Sequence, residues 1–316
     1  MKNPIISIIV PVYNAQNYIE KCLNSILEQD MEDFEIIVVN DASEDDTINI
    51  LKNYAKNKQI VLINNEENLG TGESRNKGFL FARGKYIGFV DNDDWVEKNY
   101  FSSMVKKMEE ENSDICVSLK IKNHKGRFSK THLLNPTNLK EIVFVQRTAP
   151  WAKVIRKEFL IKNNIKFDKT RGEDIYPAFL SAYLAKKISY VDNTKYHCNI
   201  RQGSISRRKI SYEDYFEIKL YKKILDFIRN KEDEAFFLPL IKERSLISFD
   251  FLYKNADSET RYELLKEYED VFNLIPTDTL KEYKAWKIKR FLENLKTFLN
   301  NYLKKLNFIC KHQPTK

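Results

Sequence analysis

The chain has 316 residues, 42% hydrophobic and 31% charged, with a formal net charge of +8. This length and balance give one large core with a smaller appended unit and exclude a disordered chain. No run of about 18 apolar residues marks a membrane span, and Cys22, Cys116, Cys198 and Cys310 lack CxxC or zinc-like spacing, so they read as reduced thiols of a cytosolic protein.

The opening MKNPIISIIVPVYN has one Lys, a short apolar run and no small-residue cleavage site, which reads as a buried strand rather than a leader. Residues 6–14 form that strand, continuous enough for a parallel sheet covered on both faces. Asn14 is placed to cap the next helix, where Tyr18, Ile19, Cys22, Leu23, Ile26 and Leu27 recur near every 3.6 residues. FEIIVVND (34–41) is a second strand. SEDD (43–46) resembles a capping box with Asp in place of Glu and opens a helix to about Lys56. A third strand follows at 60–66, a helix over 71–84 stopped at Gly84, a fourth strand at 85–91, a helix near 97–111 and a strand at 114–119.

This alternation predicts an α/β fold with a parallel, doubly wound sheet and right-handed crossovers. Ligands of such sheets sit outside the carboxyl ends of the strands. Those ends are Pro11–Asn14, Asn40–Ser43, Asn68–Gly72 and Asp91–Asp94, so the four polar clusters should converge on one crevice. From 120 to 150 the pattern weakens and reads as a mobile loop region. A helix over 171–187, strands near 188–200 and a charge-dense helical region beyond Tyr212 complete the chain.

Asp91, Asp93 and Asp94 end an apolar run, where like charges repel and burial is costly without a positive partner. A hard divalent cation, Mg²⁺ or Mn²⁺, shared with a substrate phosphate would supply that charge. An acid-rich turn capping a helix is the plainer reading of the same residues.

Four segments together resemble the family 2 inverting glycosyltransferases: SIIVPVYN (7–14), IIVVNDASEDDT (36–47), NLGTGESRNKGFLFARGKYIGFVDNDDW (68–95) and GEDIYP (172–177). The resemblance spans about residues 5–205. It implies a GT-A fold, a Rossmann-like doubly wound sheet. The catalytic domain would occupy 1–210, with a nucleotide-sugar half to about 119 and an acceptor half over 120–210, followed by a helical region over 211–316. It further implies that Pro11, Val12, Tyr13 and Asn14 line the nucleotide site, Asp41 accepts from the uracil N3–H with Ser43 beside it, and Gly70 and Arg75 serve the diphosphate or ribose. Asp91-Asn92-Asp93 matches the DxD motif, with Asp91 toward the sugar, Asp93 as main metal ligand and Asp94 in support. Asp174 is the implied general base, with Glu173 as its rival. YHCNIRQGSIS (196–206) resembles the end of the domain, giving His197 a metal or phosphate role and Arg201, Ser204 and Ser206 a diphosphate role. His197 reads equally as a satisfied strand histidine. Trp151 and Lys153 match a stretch lining the acceptor groove, or are core and solvated charge respectively.

The implied reaction moves a sugar from a UDP-sugar to a hydroxyl of a glycan or lipid-linked glycan, in bacterial surface polysaccharide synthesis; a dTDP-sugar would also suit Asp41. A dehydrogenase would need its Gly-rich turn after the first strand, where PVYN stands, and GTGESR has Arg in place of the third Gly. A nucleotidyltransferase lacks its phosphate loop there, and an aspartyl phosphatase would need Thr or Val where Trp95 stands. A nucleotide-sugar-binding protein without turnover shares the same residues.

From Lys281 onward ten Lys or Arg face two Glu, which is the whole net excess. Trp286, Ile288, Phe291, Leu292, Leu295, Phe298, Leu299, Tyr302, Leu303 and Leu306 recur there at near-helical spacing. A basic amphipathic helix of this kind lies on an anionic membrane surface, here the inner face of the cell membrane, or packs on the domain or on a second copy of the chain. Nucleic acid is not expected, since no recognition motif accompanies the charge.

Overall fold

A computed structural model describes residues 3–256, apart from 125–126, 132–137, 147–148, 170–171 and 201–215, together with Leu264 and Tyr268. Arg201, Ser204, Ser206 and the tail 281–316 lie outside the described residues.

The elements in order are β1 (Ile6–Val12), α1 (Ile19–Leu27), β2 (Phe34–Asn40), α2 (Thr47–Tyr54), β3 (Ile60–Asn64), α3 (Thr71–Phe81), β4 (Tyr86–Phe89), β5 (Trp95–Val96), α4 (Tyr100–Glu111), β6 (Ile115–His124), β7 (Arg127–Thr131), α5 (Leu139–Glu141), β8 (Lys153–Arg156), α6 (Lys157–Lys162), α7 (Ile175–Leu184), β9 (Ile188–Asn199), α8 (Phe216–Ile228) and α9 (Glu234–Asn255). A π-type turn, Ile142–Gln146, continues α5. The nine-stranded sheet runs β3-β2-β1-β4-β8-β6-β9-β5, with β7 paired to β6.

The first four strands are parallel, as their β–α alternation dictates. The sheet then departs from the all-parallel expectation. After α4 the chain enters β6, which does not lie beside β4. That slot goes to β8, antiparallel to both β4 and β6, while β9 runs parallel to β6. The sheet is therefore mixed.

Every residue of β1 and β2 is buried. Side chains alternate across the pleat. Ile8, Val10, Ile36 and Val38 pack with α1 and α4 on one face. Ile9, Ile37 and Val39 join Phe159, Phe179, Ile224 and Phe237 on the other. Thus α6 to α9 share one apolar layer with the sheet. The segment expected as loop contributes Ile142, Val143, Phe144 and Val145, all buried. Its apolar run was hidden between polar stretches.

Two expected caps do not form. Asn14 takes a left-handed φ of 46° and α1 starts only at Ile19, with no side-chain cap. Its Oδ1 instead accepts from Glu44 N–H, and its own N–H donates to Ser43 Oγ. SEDD does not cap α2 as a box: Asp45 accepts from Gln16 N–H and Thr47 N–H. The acids latch the β1–α1 loop to the β2–α2 loop.

Candidate functional site

The four polar strand ends meet through hydrogen bonds. Asp41 N–H donates to Val12 O at 2.8 Å, and Asn92 Nδ2 donates to Pro11 O at 3.1 Å. Asp41, just past β2, is 3% exposed. Its Oδ1 accepts from Leu69 N–H at 2.9 Å and from Asn65 Nδ2 at 2.6 Å, and its Oδ2 accepts from Gly70 N–H at 2.8 Å. The loop before α3 is thus folded onto the end of β2 by one carboxylate. Gly70 has φ +86° with open space where a Cβ would stand, so backbone conformation rather than crowding requires glycine. Asn65 also accepts from Lys77 Nζ at 2.7 Å. This Asn65–Lys77 pair went unnoticed in the sequence because nothing in its spacing marks it.

Arg75 projects from α3 and is 3% exposed. Its Nη2 donates to Asp91 Oδ1 at 2.8 Å and its Nη1 to Glu173 Oε1 at 2.9 Å. The guanidinium, expected at the diphosphate or ribose, pairs here with two carboxylates. It ties the end of β4 to the turn before α7. The close approach needs Gly72, whose added Cβ would stand 2.2 Å from Asp168 O and 3.1 Å from Glu173 Cβ. Burial disfavours the Arg75 charge, yet Asp91 and then Glu173 hold its pKa above the ordinary value. Burial, then Asp174, push the Glu173 carboxyl up to about 7 despite Arg75.

The Asp91–Asp94 turn divides its acids. Asp94 is 2% exposed; it accepts from Tyr196 O–H at 2.7 Å and Asn199 N–H at 2.7 Å. Tyr196 also accepts from Asp91 N–H at 3.1 Å. One phenol on β9 therefore fixes both ends of the turn, an arrangement set by strand register that the sequence does not announce. Burial, then Asp91 and Asp93, raise the Asp94 carboxyl well above its usual range, and burial with the same three acids raises the Cys22 thiol. Asp91 and Asp93 remain half-buried. This oxygen-only donor set with accumulated negative charge fits a hard divalent cation at Asp91 and Asp93.

His197 is not grouped with them. Its ring stacks on Trp95 at 5.0 Å and its Nε2 lies 3.3 Å from Glu97 Oε1. Among the described residues no three His, Cys, Asp or Glu side chains cluster as metal ligands. The antiparallel pairing of β5 and β9 places His197 opposite Trp95. Trp151 stacks on Tyr196 at 5.2 Å with Lys120 Nζ over its ring. Lys153 is 3% exposed with Nζ 3.5 Å from Val143 O; it is neither a solvated charge nor open to an acceptor. Pro11 and Val12 are buried, whereas Tyr13, Asn14 and Ser43 are half-buried at the rim.

Asp174 stands at the N-terminus of α7 but caps none of its N–H groups. Among the described residues no helix is long and apolar enough to cross a membrane.

The family model "Glycosyl transferase family 2" matches residues 7–213. The Bacillus subtilis protein EpsH is 32% identical over 227 residues, 66% of this chain and 64% of EpsH. The poly(ribitol-phosphate) beta-N-acetylglucosaminyltransferase TarS of Staphylococcus aureus is 31% identical over 222 residues, 67% of this chain but 39% of TarS. The chain thus spans less than two thirds of either relative. The crystal structure of TarS 1–349 in complex with UDP-GlcNAc matches with TM-score 0.73 at 26% identity, over 86% of this chain and 81% of that one. The mannosyltransferase PcManGT of Pyrobaculum calidifontis, in complex with GDP-Man and Mn²⁺, matches with TM-score 0.56 over 93% of this chain and 87% of that one. At 17% identity that second likeness concerns the fold.

Proposed function

The chain belongs to glycosyl transferase family 2, and from that premise we propose that it moves a sugar from a UDP-sugar to a hydroxyl of a bacterial surface glycan, with inversion. The observation that carries this reading is the hydrogen-bonded chain from Asp41 through the Gly70 loop and Arg75 to Asp91 and Glu173. It supports a donor site and an acceptor-side acid held in fixed relation. The likeness to TarS makes UDP-GlcNAc the first donor to test.

In this reading Asp41 Oδ2, which accepts from Gly70 N–H, also receives the uracil N3–H, and Tyr13 flanks the base. Asp91 and Asp93 would hold a divalent cation, which would supply Lewis-acid charge to the diphosphate leaving group. Asp174 takes the proton of the attacking hydroxyl, because Glu173 already has one oxygen engaged by Arg75. A single displacement from the face opposite the leaving group gives inversion. Residues 1–210 form the catalytic unit, α8 and α9 cover it, and the basic tail 281–316 draws the protein to an anionic membrane and a lipid-linked acceptor.

A panel of UDP-, dTDP- and GDP-sugars with Mn²⁺, read as nucleoside diphosphate release, tests the proposal. UDP release is expected. Asp174→Asn should lower turnover by about 10²–10⁴-fold with UDP binding retained by calorimetry, and Asp93→Ala should abolish the response to Mn²⁺. UDP binding without turnover under every condition would favour a binding protein and overturn the proposal.

A further inference from the structure

Asp41 is the end of a relay that begins at the half-buried Lys77 of α3. Lys77 Nζ donates to Asn65 Oδ1 at 2.7 Å. Asn65 Nδ2 donates to Asp41 Oδ1 at 2.6 Å and to Ser74 Oγ at 3.3 Å. The backbone N–H of Asn65 donates to Asn40 O at 2.9 Å, which anchors it at the end of β2. Asn65 is 6% exposed and Ser74 is fully buried. An ammonium carries donors only, so Lys77 decides which end of the amide faces it and thereby turns Nδ2 toward Asp41. Asn65 itself lies outside the four segments that carry the family resemblance.

The relay makes the two oxygens of Asp41 unequal. A carboxylate has roughly two acceptor positions on each oxygen. Oδ1 receives Asn65 Nδ2 and Leu69 N–H, whereas among the described residues Oδ2 receives only Gly70 N–H. A single acceptor position is left, on Oδ2. We propose that Asn65, oriented by Lys77, is a specificity-determining residue of the donor site: it fills Oδ1 of Asp41, so that the carboxylate takes a base with one ring N–H, uracil or thymine, and discriminates against guanine. The inference rests on the reading of Asp41 as the base-binding carboxylate. Guanine presents two adjacent donors, N1–H and the 2-amino group, which pair with a carboxylate only when both of its oxygens are open. Against Asp41 the second donor would be buried without an acceptor, which is costly. Cytosine and adenine present an acceptor at the corresponding ring nitrogen and gain nothing from this carboxylate.

The test is calorimetry on the full chain with Mn²⁺, with UDP bound directly and GDP or IDP displacing it. GDP and IDP share a purine ring and differ only in the 2-amino group, so their ratio isolates the second donor from ring size. The unmodified chain should prefer IDP to GDP by about tenfold, the effect of one buried donor left unpaired. Asn65→Leu opens Oδ1; it should erase that preference and weaken UDP by about tenfold. Lys77→Glu accepts from the amide and so turns it over, which should move the GDP-to-IDP ratio in the same direction. Lys77→Arg, a donor like lysine, should keep the original ratio. The Lys77 variants carry the test if Asn65→Leu does not fold. IDP that displaces UDP no better than GDP from the unmodified chain would place the discrimination in ring size and overturn the proposal. So would a ratio that stays the same in Asn65→Leu or Lys77→Glu while every affinity falls together, since Asn65 would then only stiffen the loop. Asp41→Asn should weaken UDP; unchanged UDP affinity there would instead sink the base-site assignment itself, and this inference with it.

Discussion

The donor half, β1 to β4 with α3, and the cover made by α7 to α9 are held together by different forces. In the donor half the decisive contacts are charged and directional: Asp41 to two backbone N–H groups, Arg75 to two carboxylates. In the cover edge-on rings join the helices, beside hydrogen bonds among Tyr221, Ser248 and Arg244. Phe179 of α7 meets Phe227 of α8 and Phe237 of α9 edge-on, with ring centroids at 5.8 and 5.7 Å. Directional contacts fix where ligand groups can sit, whereas apolar burial fixes only that the helices stay on. This difference explains why the first region carries motif residues and the second does not.

A matched pair of variants tests that division most severely. Arg75→Gln strands two carboxylates and should cost about 3–5 kcal/mol. Phe237→Ala empties a fully buried position and should cost a similar amount, about 3–5 kcal/mol. Urea denaturation with and without UDP distinguishes them. Added UDP should stabilise the Phe237 variant as it does the unmodified chain, because UDP binding is linked to folding only through the donor site. The Arg75 variant should lose that response. Equal responses would erase the contrast.

Legibility in the sequence followed the same line. A continuous apolar strand ending in polar residues announces itself, so 6–12, 34–40 and 86–89 and their convergent ends were readable from the pattern. The partner of each charge was not. Arg75 was expected at the diphosphate or ribose, and its pairing with Asp91 and Glu173 could not be read from spacing. The core run Ile142–Val145 was obscured by its polar flanks, and β5 and β8 are too short to show a period. Tyr196 and Lys153 look like ordinary strand residues, since register, which only the folded sheet reveals, assigns their neighbours.

A smaller effect sharpens the donor side. Tyr196→Phe removes the phenol that reaches both Asp94 Oδ2 and Asp91 N–H. The loss of one donor to a buried carboxyl should cost about 1–3 kcal/mol. Because the same phenol orders the turn between Asp91 and Asp94, Mn²⁺-dependent UDP affinity should fall as well, measured by calorimetry. A stability loss with unchanged affinity would show that Tyr196 only fills space.

The smallest effect lies at the seam between the regions, at Glu173. Its carboxyl, raised to about 7 by burial and Asp174, has an unfolded value near 4.3. Between those two values the folded chain binds more protons than the unfolded chain, so stability falls as pH rises and the loss is complete only above about pH 7. Glu173→Gln keeps an oxygen for Arg75 but has no proton to lose. Its melting temperature should therefore gain on that of the unmodified chain through this window and hold a constant lead above it. A difference that stays flat across the window would mean that Arg75 keeps Glu173 ionised throughout. The seam would then be an ion pair like the rest of the donor half, and the boundary between the two regions would move to α7.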